Sequence, residues 1–140
     1  MSIEDNKAIV RRYREMHSTN QLDQLDEVLS ADLMSHSLLP GVPTGLEGAR
    51  MVHAGNLAMF PDLHVETDDL IAEGDKVVER WTQTFTHTGA PFMGAPATGR
   101  KVAVTGVSIY RIANGKIVEH WGEMNVQSVL QQLGLAPSPG

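Results

Sequence analysis

The stretch Lys101–Asn125, KVAVTGVSIYRIANGKIVEHWGEMN, decides the fold. Residues 101–113 are rich in β-branched side chains, and Asn114-Gly115 is the strongest short hairpin signal a sequence carries. Residues 116–125 resume the extended pattern, so the reading is a long antiparallel hairpin. Upstream, residues 76–87 alternate, with Val77, Trp81 and Phe85 set against Arg80, Thr82 and Thr84. Gly74-Asp75 is a turn, and residues 63–72 read as extended before it. A loop rich in Gly and Pro, His87 to Gly99, separates this second hairpin from the first.

Helical signals bracket the strands. Ser2 with Asp5 three residues on is a capping-box variant, and Ile9, Tyr13 and Met16 recur at helical spacing, so the first helix is expected over about 3–17. Asn20 is positioned to cap a short second helix carrying Leu22, Leu25, Val28 and Leu29. Leu33 to Leu38 reads as a short strand, and Pro40-Gly41-Val42-Pro43 as a loop. Thr44 can cap a third helix over 46–59, which Pro61 stops. A last helix is expected over 126–133 with Gly134 as its C-cap, followed by a short tail. Helices first and hairpins last argue for an α+β fold with an antiparallel sheet, not alternating βαβ units. The 140 residues fit one domain with a core over about 5–134.

Composition removes several function classes. The chain has no cysteine, which excludes disulfides, thiolate nucleophiles and Cys-based zinc sites. Its net charge is -6 and its 11 Lys and Arg are scattered, so nucleic acid is not an expected partner. No apolar run approaches the roughly 20 residues of a spanning helix. The N-terminus is charged throughout, unlike a secretory signal, so a cytoplasmic protein without a membrane partner is expected. The six histidines show neither His-x-x-x-His nor His-Glu-x-x-His spacing, and no metal is expected. Neither a P-loop nor GxGxxG is present, and no Ser-His-Asp order is recognisable.

Four segments carry a resemblance. They are Ala58–Leu63 (AMFPDL), His87–Gly99 (HTGAPFMGAPATG), Tyr110–Trp121 (YRIANGKIVEHW) and Leu130–Gly134 (LQQLG). Together they make the chain similar to the SnoaL-like polyketide cyclases of the nuclear-transport-factor-2-like fold. The resemblance implies a cone of strongly curved antiparallel sheet, closed by the N-terminal helices around one apolar pocket. It also implies assembly through the sheet as a homodimer or larger homo-oligomer. Cyclase relatives close a ring by an intramolecular aldol-type step without metal or organic cofactor. When Gly115-Lys-Ile is matched onward, the catalytic Asp of those enzymes falls on Gly122, and the assisting His falls near Ser108.

Without that acid, histidine is the residue type able to move a proton near neutrality. On an extended strand, residues 118, 120, 122 and 124 share a face, so His120 would look into the cavity beside Gly122, with Glu119, Trp121 and Glu123 turned away. Glu123 becomes a candidate base only if a bulge near Gly122 shifts the register. His36 and His87, at two loop ends, are candidates for polarising a substrate oxygen. His17, Val52, Asn56, Phe60, Phe92, Met93, Ser108, Tyr110 and Gly122 are the expected substrate-binding set. For His17, a favourable place for a cation at a helix C-terminus is a competing explanation. Arg80 is expected to pair with Glu119, Glu123 or a substrate carbonyl. Trp81, Phe85, Val107, Ile109 and Trp121 are expected as an apolar patch on the outer sheet face, supporting a homodimer. The functional expectation is a cofactor-independent, cyclase-like enzyme acting on a small apolar or aromatic carbonyl compound by acid/base ring closure or isomerisation. The alternatives are a non-catalytic binding protein and an epoxide or ester hydrolase on the same fold.

Overall fold

A computed structural model describes residues 2–19, 21–36 and 41–135. Helix α1 (Ile3–Ser18) is followed by a 3-10 helix (Leu22–Glu27), strand β1 (Leu29–Ser35) and helix α2 (Gly45–Met59). Strands β2 (His64–Glu73), β3 (Lys76–Thr86), β4 (Lys101–Ala113) and β5 (Lys116–Met124) come next, and helix α3 (Val126–Gln132) last. The strands form one curved, unclosed sheet in the order β1-β5-β4-β3-β2. This is an α+β cone.

The hairpin expectation holds residue for residue at its turn. Asn114 and Gly115 both have positive φ, 52° and 78°, as a two-residue turn matched to strand twist requires. The capping box at α1 is present, with Asp5 N–H donating to Ser2 Oγ at 3.0 Å and Ser2 N–H to Asp5 Oδ2 at 3.2 Å. Two elements differ from expectation. The second helix is a single 3-10 segment, and its hydrophobic residues Val28 and Leu29 already belong to its end and to β1. The expected cap Asn20 lies outside the described residues, as do residues 37 and 38 of the expected strand. That strand starts earlier, at Leu29, and joins β5 in parallel, so one edge pair of an otherwise antiparallel sheet is parallel.

Register determines what faces inward. Ile112 pairs with Ile117, but Arg111 pairs with Glu119, so Val118 is an extra residue in β5. This bulge inverts the alternation. Ile117 and His120, of opposite parity, consequently both line the interior. The bulge sits four residues before Gly122, and Glu123 stays on the outer face opposite Val107, exposed.

Trp81 and Phe85 do not join the outer patch. Trp81 pairs with Gly106, in the row of β4 that carries Val104, Ser108 and Tyr110 inward. Its indole lies across Gly106, where any Cβ would meet the ring at 2.3 Å. Its Nε1–H donates to Ser108 Oγ at 3.0 Å. Val107, Ile109 and Trp121 remain on the outer face. Arg80, also outward, pairs with Asp68 at 3.9 Å, while Glu119 is engaged by Arg111 and His36.

Two apolar clusters flank the interior. One joins Val10, Met16, Leu25, Val28, Leu33, Ile112 and Ile117 beneath α1. The other joins Phe60, Leu63, Phe85, Val102, Val129 and Leu133 at the opposite end of the sheet. Among the described residues no helix is long and apolar enough to cross a membrane.

Candidate functional site

A cavity of about 410 Å³ lies between α1, α2, β1 and the inner faces of β4 and β5. Its walls are mainly apolar, including Leu29, Leu33, Val52, Ile117 and Met124. A smaller chamber of about 170 Å³ adjoins it and reaches Arg14, His17, Trp81, Gln83 and Ser108. Tyr13, Asn56, Tyr110 and His120 border both chambers. The space is thus an apolar body with a polar inner end, in the size range of roughly 300–1,000 Å³ typical of small-molecule sites.

The polar end is organised around a buried ion pair. Glu79 projects inward from β3 with no exposed surface. Arg14 of α1 grips it with two hydrogen bonds, Nε to Oε2 at 3.0 Å and Nη2 to Oε1 at 2.7 Å. Thr67 donates to Oε2 at 2.6 Å and Tyr110 to Oε1 at 2.7 Å. Burial alone would push the Glu79 carboxyl up, but these hydrogen bonds and the Arg14 charge outweigh it and hold it below the ordinary range. A carboxylate with both oxygens so occupied anchors the wall and is poorly placed to take a proton from a ligand. Arg14 also donates to Tyr110 Oη at 3.1 Å.

Three histidines surround this pair. His120 sits beside Tyr110, with ring centroids 5.2 Å apart, and its Nδ1 is 3.3 Å from Ser35 Oγ. Burial, and then the Arg14 charge, lower its pKa to about 4. His17 is brought to about 4 by the same two causes. His53, on α2, shares a 2.8 Å hydrogen bond between its Nε2 and Tyr13 Oη, and lies 4.5 Å edge-to-face from His17. Burial, followed by His17, Arg14 and His120, holds it well below the ordinary imidazole value. All three rings are therefore neutral at pH 7. The helix-dipole explanation of His17 needs an imidazolium, so it does not apply to this buried ring.

Of the residues singled out from the sequence, the structure brings together His120, His17, Val52, Asn56, Ser108 and Tyr110 around the two chambers. Others lie elsewhere. His36 is on the outer face, 2.7 Å from Glu119 and stacked on Trp121. His87 is fully buried at the base of its loop. It spends both ring nitrogens there, Nδ1 accepting from Thr98 N–H at 3.3 Å and Nε2 donating to Ala90 C=O at 3.0 Å. Phe60 and Phe92 pack around His87, and Met93 is largely exposed. Gly122 pairs with Ser108 in the sheet and does not border either chamber.

Sequence reasoning missed Tyr13, Arg14, Glu79 and Ser35. The missing signal was parity: Glu79 falls in the same row as Val77 and Trp81, and a carboxylate in a buried row demands a partner. Arg14 follows Val10 by four residues on the buried side of α1, and it is that partner. No group of three or more His, Asp or Glu suited to a metal ion exists among the described residues.

The model of the SnoaL-like polyketide cyclase family matches residues 7–133. The chain belongs to this family. Its SnoaL-like fold is shared with TsrD from Streptomyces laurentii, at 28% identity and a TM-score of 0.88 over 97% of this chain and 99% of that one. AclR from Streptomyces galilaeus, a proposed hydroxylase, is 32% identical with a TM-score of 0.81, over 98% of this chain and 89% of that one. IdmH from Streptomyces antibioticus, a proposed polyketide cyclase, is 31% identical with a TM-score of 0.81, over 92% and 98%. No curated protein matches the chain. The SnoaL-like family uses one small-molecule-binding fold for relatives proposed as both cyclase and hydroxylase, so the reaction must be argued from the cavity.

Proposed function

We propose that this SnoaL-like protein is a cofactor-independent enzyme that moves a proton at a carbon beside a carbonyl, leading to ring closure or isomerisation of an apolar or aromatic compound. The observation that carries the reading is His120: a neutral imidazole at the junction of both chambers, with Nδ1 steadied by Ser35 and Nε2 without a partner among the described residues. With Nδ1–H donating to Ser35 Oγ, Nε2 holds the lone pair a general base needs.

A pKa of about 4 makes His120 fully available but weakly basic at pH 7. It suits a carbon already acidified by flanking carbonyls. Once the proton is transferred, the enolate beside the imidazolium offsets the cost of a charge in this apolar site. The enolate then attacks a second carbonyl, or is reprotonated elsewhere. His36 and His87 are left out of this scheme, since His36 bonds Glu119 on the outer face and His87 spends both ring nitrogens in its own loop.

The test is hydrogen–deuterium exchange at the activated carbon of aromatic 1,3-dicarbonyl probes, together with product analysis. His120→Ala should lower the rate about 10²–10⁴-fold with little change in affinity. The kcat/KM profile should rise through about pH 4 as the imidazole loses its proton and stay flat near 6.5. Unaltered exchange in His120→Ala overturns the assignment.

A binding protein is the second reading, favoured by Gly122 standing where the cyclases carry their acid. It would saturate with the same probes without exchange. The protein is further proposed to be cytoplasmic and to form a homodimer through the outer face carrying Val107, Ile109 and Trp121. Light scattering tests the dimer, and a monomer at micromolar concentration refutes it.

A further inference from the structure

His53 is only 7% exposed, and its Nδ1 is buried without a hydrogen-bond partner among the described residues. Its Nε2 lies 2.8 Å from Tyr13 Oη. This asymmetry selects a tautomer. A hydrogen on Nδ1 would be a buried donor with nothing to receive it, the rarest kind of unsatisfied group. With the hydrogen on Nε2, the bond to Tyr13 runs from His53 to the phenol oxygen, and only a lone pair on Nδ1 goes unused. Burial keeps the ring from carrying both hydrogens.

Tyr13 then accepts from His53 and cannot also donate to it, so its own O–H must find another acceptor. The ring lines both chambers, as does His120. Burial raises the phenol pKa, so the hydrogen stays on the oxygen. A phenol that accepts a hydrogen bond is also a stronger donor through its O–H.

We propose that Tyr13, held from behind by His53, is a ligand-binding residue whose hydroxyl donates a hydrogen bond to an oxygen acceptor of the ligand, a carbonyl or enolate oxygen. The inference rests on the cavity being a ligand site, but not on proton transfer by His120. It gives the site a donor on its helical wall facing a base on its sheet wall. The ligand it selects has an acceptor oxygen at the edge of an apolar body.

The probes are 2-acetylnaphthalene and 2-ethylnaphthalene, which share the carbon skeleton and differ in the carbonyl oxygen. Affinity is read by titration of probe fluorescence, and the carbonyl stretch of the ¹³C-labelled ketone by infrared difference spectroscopy. The wild type should prefer the ketone by about 3–10-fold, the worth of one neutral hydrogen bond, and lower its carbonyl frequency. Tyr13→Phe should erase the preference and return the band to its position in hydrocarbon solvent. His53→Gln retains an N–H for the phenol oxygen and should keep part of the shift, whereas His53→Leu should weaken it. A merely structural role for Tyr13 would not move the band. Equal binding of the two probes, binding of neither, or a shift that survives Tyr13→Phe overturns the proposal. His120→Gln separates the two readings. If exchange is unaffected in it while the Tyr13-dependent shift is intact, the base assignment fails and the donor stands. Loss of exchange in His120→Gln, with no Tyr13-dependent shift in the wild type, gives the converse.

Discussion

Two regions of this molecule hold buried histidines among aromatic rings, and they are built to opposite ends. At the loop end, His87 touches Phe60 and Phe92, and both ring nitrogens are satisfied by the backbone of its own loop. At the cavity end, His17, His53 and His120 crowd Tyr13 and Tyr110, yet the Nδ1 atoms of His17 and His53 have no partner among the described residues and the rings border open space. Residue type is the same in both places, and burial is nearly so, His87, His17 and His53 being buried and His120 half-buried. Completeness of hydrogen bonding separates them: a satisfied histidine ties a loop, whereas an incomplete set beside a void is equipped for a ligand.

The sharpest way to read that contrast is acid. His17 and His120 have folded pKa values of about 4 against about 6.5 unfolded. The unfolded chain therefore binds more protons between those values, and stability falls as pH drops through the window, levelling off below about 4. Each ring contributes about 3 kcal/mol at full effect, and His53 acts in the same direction. The lowered carboxylate of Glu79 loses its contribution only further down, below the ordinary carboxylate value. Urea titrations at pH 7 and 4.5 should show a loss of several kcal/mol, reduced in His17→Gln/His120→Gln to the part that His53 contributes. Equal stability at both pH values would mean the cavity rings are not neutral and buried.

The support beneath the cavity should be nearly as sensitive. Glu79→Gln leaves the Arg14 guanidinium buried beside a neutral amide, which costs about 3–5 kcal/mol. Adding Arg14→Met should recover much of that loss, because a pair removed together leaves no orphaned charge. The check is the denaturant midpoint of the three variants. A Glu79→Gln protein as stable as wild type would show that water reaches the pair.

Breaking the loop end should cost less and leave binding alone. His87→Ala removes two hydrogen bonds and leaves a small void, for a loss of about 2–3 kcal/mol. Affinity for a naphthalene probe should not change at temperatures where the variant is folded. A large drop in affinity would mean the two regions are coupled and the contrast does not hold.

The sheet was legible because its signals are local. The Asn114-Gly115 turn and the β-branched run of 101–113 need no partner to be recognised, and the Ser2–Asp5 cap lies within one turn. His120 was legible by the same period of two. The Val118 bulge was not, because nothing in Ile117-Val118-Glu119 marks an extra residue. It is visible only from the pairing with β4. Arg14 and Glu79 are 65 residues apart, so their encounter depends on how α1 crosses the sheet, which no local period encodes. Trp81 and Phe85 were placed outward because their row was judged by hydrophobicity alone, without the register that sets Trp81 against Gly106.

His36 provides the smallest expected effect and the control for everything above. It too is an aromatic-stacked histidine next to a strand end, bonded to Glu119 and lying flat on Trp121 at 4.8 Å, with an interplanar angle of 10°. Its face is the outer one, however, and 38% of its side chain is exposed. Glu119 keeps its bond from Arg111 when His36 is removed, so no charge is orphaned. Exposed ion pairs contribute little because water and salt screen them. His36→Ala should therefore leave exchange at the activated carbon within about twofold of wild type, against the 10²–10⁴-fold expected for His120→Ala. Its denaturation midpoint should be indistinguishable from wild type at 0.5 M salt, where the Glu119 contact is screened in both proteins. A large loss of exchange in His36→Ala would shift the chemistry toward the strand end and the outer face. The interior set would then be reduced to binding.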